Sequence, residues 1–400
     1  MSNASRLKRL ASSVVAAVSV LWSASVAPAP YTPADDRIVL ERLPIRPGDP
    51  VQRDLRELRQ AVAADPRDAA AALRLARRYF DLATAEGDPR YVGYAEAVLR
   101  PWGDPHDAPA EVLVVRAQLA QYRHQFGRAL QALDRALELA RGDPEALAWR
   151  AAVRMVQGDY AGARSDCARL AQVASELLAT GCAAHVDGTT GRLREAYDRL
   201  RIALARHPDV RATLKLWVRT LLADMADRLG DAAAAEDHYR AALALGLTDQ
   251  YLLAAFAEFL LEHGRPREAA ELLRPWERSD VLLLILARAE HVLGRSDAAR
   301  HAAALEARFA DAARRGDRLH LQDEAQFRLV FRSDAQGALA LARENWALQK
   351  EPRDAKLLLE SALAARSPAA ARPALDWLAE SRFEDPRMAA MAHELRRLAR

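Results

Sequence analysis

Four carboxylates are the residues whose type and spacing most invite chemistry. Asp224 and Asp227 lie three apart, and Glu258 and Glu262 lie four apart. On helices, each pair shares one face. Brought side by side, the two pairs would form a site for a basic peptide or a cation; left apart, they are an ordinary solvated face. General acid–base work would need a desolvated carboxyl and a fixed separation within the pair, and nothing in the flanking sequence indicates either. A second grouping, His320, Asp323 and Glu324, falls in the segment Arg314–Arg328. It would suit an unrecognised enzyme site, but one helix accommodates all three as surface polar residues. The ten histidines are dispersed, with none paired at i, i+4 as a zinc-binding helix requires, and HExxH, CxxC, GxSxG and a Walker glycine loop are all missing. No catalytic residue, cofactor or metal is therefore expected. Arg315-Gly316-Asp317 spells an adhesion tripeptide, but it stands between two helical runs and reads as an interhelical turn.

Helices must position these groups. The chain is rich in Ala, Leu and Arg, with only 17 glycines in 400 residues and no alternating β-branched runs. That length exceeds one ordinary core, so the chain is either several domains or a repeat array. Lysine occurs only at positions 8, 215, 350 and 356, so nearly all positive charge is arginine. The formal net charge of +3 equals the contribution of Arg6, Lys8 and Arg9, leaving a neutral body. A neutral body carries no electrostatic footprint for nucleic acid.

The repeat is plainest from Glu111 to Leu170, where Ala117 and Ala129 recur 34 positions later as Ala151 and Ala163. Carried along the chain, the frame gives Ala83/Ala95, Ala184/Ala196, Ala223/Ala235, Ala257/Ala269 and Ala287/Ala299. Alanine is abundant, so glycine is the sharper test. Gly158, Gly191, Gly230, Gly264 and Gly294 each fall seven residues after the first alanine, where a turn residue past a helix end must take left-handed backbone. Large residues follow four past the second alanine at Leu133, Leu200, Tyr239 and Leu273.

Period and pattern together resemble the tetratricopeptide repeat (TPR), a helix–turn–helix unit that stacks into a right-handed superhelix. The resemblance implies an all-α solenoid of antiparallel helix pairs, with seven clear repeats and about two degenerate ones. The degenerate pairs run over Phe309–Leu348, around Arg332-Ser333-Asp334, and over Asp354–Glu380. Met388–Arg400 is expected as a capping helix, wetted by Arg396, Arg397 and Arg400. The match is divergent: Leu, Val and Ala mostly replace the aromatic positions of the first helix, and His124 stands where the second unit should have glycine. Trp149, Trp217, Trp276, Trp346 and Trp377, at helical spacing among Leu and Ala, are expected in the core between repeats.

The resemblance also places ligand-facing positions on a concave wall. These are Gln118, Gln121 and Tyr122 in the second unit, Asp224, Asp227 and Arg228 in the fifth, Glu258 and Glu262 in the sixth, and Arg288 and His291 in the seventh. Stacking the fifth and sixth units would join the four acids in one stretch of groove. The implied function is non-catalytic binding of a protein or peptide, preferably basic, because acids would repel an acidic tail. A small-molecule or glycan-binding component of an envelope assembly system is the alternative. Cys167 and Cys182 fall on successive helices whose turn lies midway between them. They therefore face each other where a disulfide can form, with two buried thiols as the alternative.

Residues 1–27 carry basic, apolar and small-residue regions in the order of a secretory signal peptide, with an apolar run too short for a comfortable membrane span. They imply a periplasmic or secreted protein, cleaved or held as an N-terminal anchor, and no span in the mature form unless the anchor stays. A Pro-rich linker (28–50), the solenoid (51–387) and the cap (388–400) complete the expected organisation.

Overall fold

The computed structural model describes residues 35, 37–38, 49–104 and 106–400. The expected signal segment, residues 1–27, and nearly all of the 28–50 linker lie outside the described residues. The chain divides into two units, Met1–Gln52 and Arg53–Arg400. In the first, Arg37 and Asp35 form an ion pair at 2.7 Å.

The second unit is helical throughout, with no strand among the described residues. Following α1 (Pro50–Ala64), the helices pack as consecutive antiparallel pairs. They are α2 (Ala69–Glu86) with α3 (Arg90–Val98), α4 (Ala110–Tyr122) with α5 (Phe126–Leu139), and α6 (Pro144–Val156) with α7 (Tyr160–Leu170). Next come α8 (Glu176–Thr189) with α9 (Leu193–Arg206), α10 (Ala212–Arg228) with α11 (Ala232–Leu243), and α12 (Gln250–Glu262) with α13 (Pro266–Leu273). The last pairs are α14 (Asp280–Val292) with α15 (Asp297–Arg314), α16 (Leu321–Phe327) with α17 (Ala335–Leu348), and α18 (Pro352–Ala364) with α19 (Arg372–Ser381). Helix α20 (Pro386–Leu398) packs back on α18. This is an α-solenoid.

Local chemistry explains the turns. Asp68, Asp143, Ser175, Asp249 and Ser279 each accept a hydrogen bond from the first turn of the helix that follows, satisfying an amide that has no intrahelical partner. At the other end, the amides of Asp159, Arg192, Asp231, Arg265 and Arg295 reach back five residues to a carbonyl, at 2.8–3.1 Å. That is the closing bond of a Schellman cap, and it needs a left-handed residue just before the donor. Gly158, Gly191, Gly230, Gly264 and Gly294 supply it. In the second pair Gln125 makes the same bond, to Ala120, and His124 adopts the left-handed backbone with φ 55°.

The expected small positions lie inside the helix pairs from Ala83 to Ala287, each at most 2% exposed, so paired helices approach closely. Ala299 departs from this, being exposed, with Ala298 and Ala302 buried in its place. The expected pair starting at Phe309 also moves. Phe309 is buried in α15, which runs on for 18 residues until the Arg315-Gly316 turn closes it, and the pair begins at Leu321. The longer α15 carries the chain past the 34-residue frame. Cys167 on α7 and Cys182 on α8 form a disulfide, with Cα atoms 5.5 Å apart. One buried cluster runs from Leu177 to Phe327, and another from Ala325 to Leu395. Trp346 and Trp377 belong to the second, edge to face at 5.9 Å.

The array returns on itself. The Lys350 amide donates to the Val156 carbonyl at 2.7 Å, and Gln157 Nε2 donates to the Leu348 carbonyl at 2.8 Å. Trp377 Nε1 donates to the Tyr160 hydroxyl at 2.7 Å. The Leu193 amide donates to Glu384 Oε2, also at 2.7 Å. These bonds join helices about half the chain apart, so the last two pairs and α20 sit across the concave side of the middle ones.

Candidate functional site

The acids of α10 and α12 meet the basic residues of α18 and α20 on this concave side. Asp385 caps α20 by accepting from the amides of Arg387 and Met388, and this fixes where the Arg387 side chain departs. The Arg387 guanidinium then reaches Asp227 at 2.9 Å and forms an ion pair with Glu262, while Asp385 holds it at 3.1 Å. Burial opposes charge on Arg387, but these three carboxylates outweigh it and raise its pKa. Lys356 on α18 also pairs with Glu262. Burial likewise works against its ammonium, and Glu262 and Glu360 overcome that, so its pKa is raised. On Glu360 burial prevails, and the carboxyl is raised above the usual range.

The other expected groove residues have varied surroundings. Asp224 remains half-exposed and accepts from Arg228 Nε at 3.0 Å. Arg228 itself is buried, donating to the Gly188 carbonyl at 3.0 Å and lying over the Phe383 ring at 4.4 Å. Asp227 accepts from His263 as well, at 2.8 Å, if that ring nitrogen carries the proton. Glu258 pairs with Arg288 of the next repeat. Gln118 is 4% exposed, and its amide is committed to Glu145 at 2.9 Å, which Arg77 also grips through two bonds of 2.7 Å. Tyr122 is half-buried, edge-on to Phe80, and burial raises its hydroxyl pKa. Gln121 is partly exposed nearby, and His291 is exposed with its ring against Phe331 at 5.4 Å. The structure thus joins Asp227 and Glu262 through one arginine, keeps Asp224 and Glu258 in the same lining, and leaves Gln118, Gln121, Tyr122 and His291 apart from them.

An internal space of about 240 Å³ lies between these helices, lined by Asp224, Glu258, Glu262, Lys356, Glu360 and Arg387 among others. Tyr251 projects into it. The residue keeps 63% of its surface open to solvent within the concavity. Lys356, Glu360, Phe383 and Arg387 did not enter the sequence-based site because the 34-residue frame had lapsed before them. The one usable signal was the rarity of lysine.

Chemically, this lining holds charge by pairing it. Glu324 is taken by Arg328 at 2.7 Å, leaving His320 with Asp323 and Asp280 at 3.7 and 3.8 Å. Among the described residues, no group of three or more His, Cys, Asp or Glu is arranged to hold a metal ion, and no helix is long and apolar enough to cross a membrane.

No family model and no curated protein matches the sequence. Solved structures do. The APC/C hetero-tetramer Cut9–Hcn1 superimposes with a TM-score of 0.51 at 15% identity, over 82% of this chain and 63% of that one, so this chain spans under two thirds of its length. A tetratricopeptide repeat protein from Parabacteroides merdae gives 0.44 at 16% identity over 60% and 92%, and yeast Tom70 gives 0.40 at 11% over 87% and 85%. With the consecutive helix pairs, the first of these defines the class: a TPR-like α-solenoid.

Proposed function

We propose that this chain is a non-catalytic interaction scaffold, exported by its N-terminal segment, whose concave acidic lining takes basic side chains of a protein or peptide partner. One observation carries the reading. Asp227 and Glu262 already accept an arginine delivered from α20, 125 residues further along the chain from Glu262. An incoming segment that presents Arg or Lys would make the same pairs.

The Asp224 side chain is 54% exposed, and an Asn in its place still offers an oxygen to the buried Arg228, so Asp224→Asn removes the charge at small cost in stability and separates binding from folding. A tagged chain carrying a photo-crosslinker at Tyr251, an exposed residue of the same lining, is expected to capture one defined partner from the envelope fraction. Asp224→Asn should reduce that yield at least fivefold with a nearly unchanged melting temperature. Equal capture by wild type and variant would refute the acidic lining as the binding surface.

A further inference from the structure

A larger cavity, about 630 Å³, opens at the seam where α7 and the α8–α9 turn face α17 and α19. We propose that it is a second binding site, for a small organic anion: a carboxylate or phosphate on a sugar-sized body. The volume is in the usual range for small-molecule pockets, about 300–1,000 Å³.

Its charge is the first argument. Arg164, Arg192, Lys350 and Arg382 line it, against Asp376 and Glu380 on the α19 rim. Asp376 lies 3.6 Å from Arg372 of its own helix, which leaves Glu380, among the described residues, as the lining acid without a basic partner. Arg192 and Arg199 both pair with Asp187, and Arg164 lies 3.7 Å from it, so three guanidiniums share one carboxylate. Among the described residues, the Lys350 ammonium and the Arg382 guanidinium have no hydrogen-bond or ion-pair partner. The cavity is left with an excess of donors that an anion would satisfy.

Backbone cost is the second argument. Arg382 sits at φ 56°, a left-handed conformation that strains a residue with a side chain and that glycine adopts freely. Directly opposite, Gly191 at φ 77° brings its backbone so close that an added Cβ would stand 2.9 Å from the Arg382 Cβ. The tight approach of two chains positions an arginine, where glycine would be cheaper, at the mouth of a positive cavity. The third argument is the wall itself: Tyr160, Trp346 and Trp377 supply an apolar face for a ring, while the Thr190 hydroxyl, donating to the Val186 carbonyl, accepts from Arg164 at 2.9 Å and steadies that guanidinium at the edge.

Titration calorimetry of the full chain with glucuronate, glucose 6-phosphate, glucose and inorganic phosphate tests this site. At least one of the two anionic sugars should bind at sub-millimolar concentration, with glucose and phosphate at least tenfold weaker. The preferred anion tells carboxylate from phosphate. Arg382→Gly retains the left-handed backbone, so it should keep or raise the melting temperature while weakening binding at least tenfold. Arg366→Gly, a second left-handed arginine outside the cavity, should change only stability. Failure of both anionic sugars to bind, or wild-type affinity in Arg382→Gly, would overturn the site. So would tighter binding of a hexaglutamate peptide, which would make the cavity a dock for acidic chains.

Discussion

His124 accepts a backbone that its neighbours in the array leave to glycine. Its φ of 55° closes α4, and its ring stacks on Phe126 with centroids 5.5 Å apart. The left-handed conformation costs an L-residue about 1–2 kcal/mol, while glycine adds about 0.5–1 kcal/mol of unfolded-state entropy. The stacking lost with the ring is of similar size to the difference. His124→Gly should therefore leave stability within about 1 kcal/mol of wild type. His124→Val, with a branched Cβ at positive φ, should cost about 2 kcal/mol. Chemical denaturation of the two variants measures both, and equal midpoints would show that the turn is not strained. The position was legible in sequence because the 34-residue frame marked it. Gln118 shows the limit of that frame. A residue can stand at a groove-facing register and still turn its amide to Glu145 on a neighbouring repeat, because the frame gives the face and not the rotamer.

Helix pairs are joined mostly by caps and buried alanines, and α7 with α8 adds a covalent tie. The Cys167–Cys182 bridge spans 15 residues, which in the loop-entropy account stabilises the fold by about 3 kcal/mol. The double variant Cys167→Ser/Cys182→Ser should lose that much in urea unfolding, and reductant should lower the wild type to the same value without affecting the variant. A wild type indifferent to reductant would mean that the bridge contributes nothing. The pairing was legible because the α7–α8 turn falls midway between the two cysteines. The end of α15 was not. Its 18 helical residues carry no period that a 34-residue frame can register, and the closing signal, Arg315-Gly316, arrives late. The contacts that α18 and α20 make across the concave side, including Arg387 on Asp227, escaped the sequence reading for that reason.

Across the second unit, the closure rests on a handful of weak contacts. A hydrogen bond nets about 1 kcal/mol, a cation–π contact such as Arg228 on Phe383 about 0.5–2 kcal/mol, and a solvated ion pair typically under 1 kcal/mol. Their sum is only a few kcal/mol, so the seam can open at modest cost. Arg387→Glu with Lys356→Glu places like charges against Asp227 and Glu262 and should shift the balance toward an open array. The Lys350 amide, bonded to Val156, and the Leu193 amide, bonded to Glu384, report the seam directly. Both should exchange with solvent deuterium at least tenfold faster in the double variant. Amides within α12 should keep their protection, because that helix is held by its own ladder and by Leu252, Phe256 and Leu260 in the core. Wild type in 1 M salt, where the screening length falls to about 3 Å, should move the same way by a smaller factor, since salt leaves the neutral seam contacts intact. Unchanged protection of both amides in the double variant would mean that the neutral contacts hold the seam by themselves, and the acidic lining would then have no route to an incoming chain.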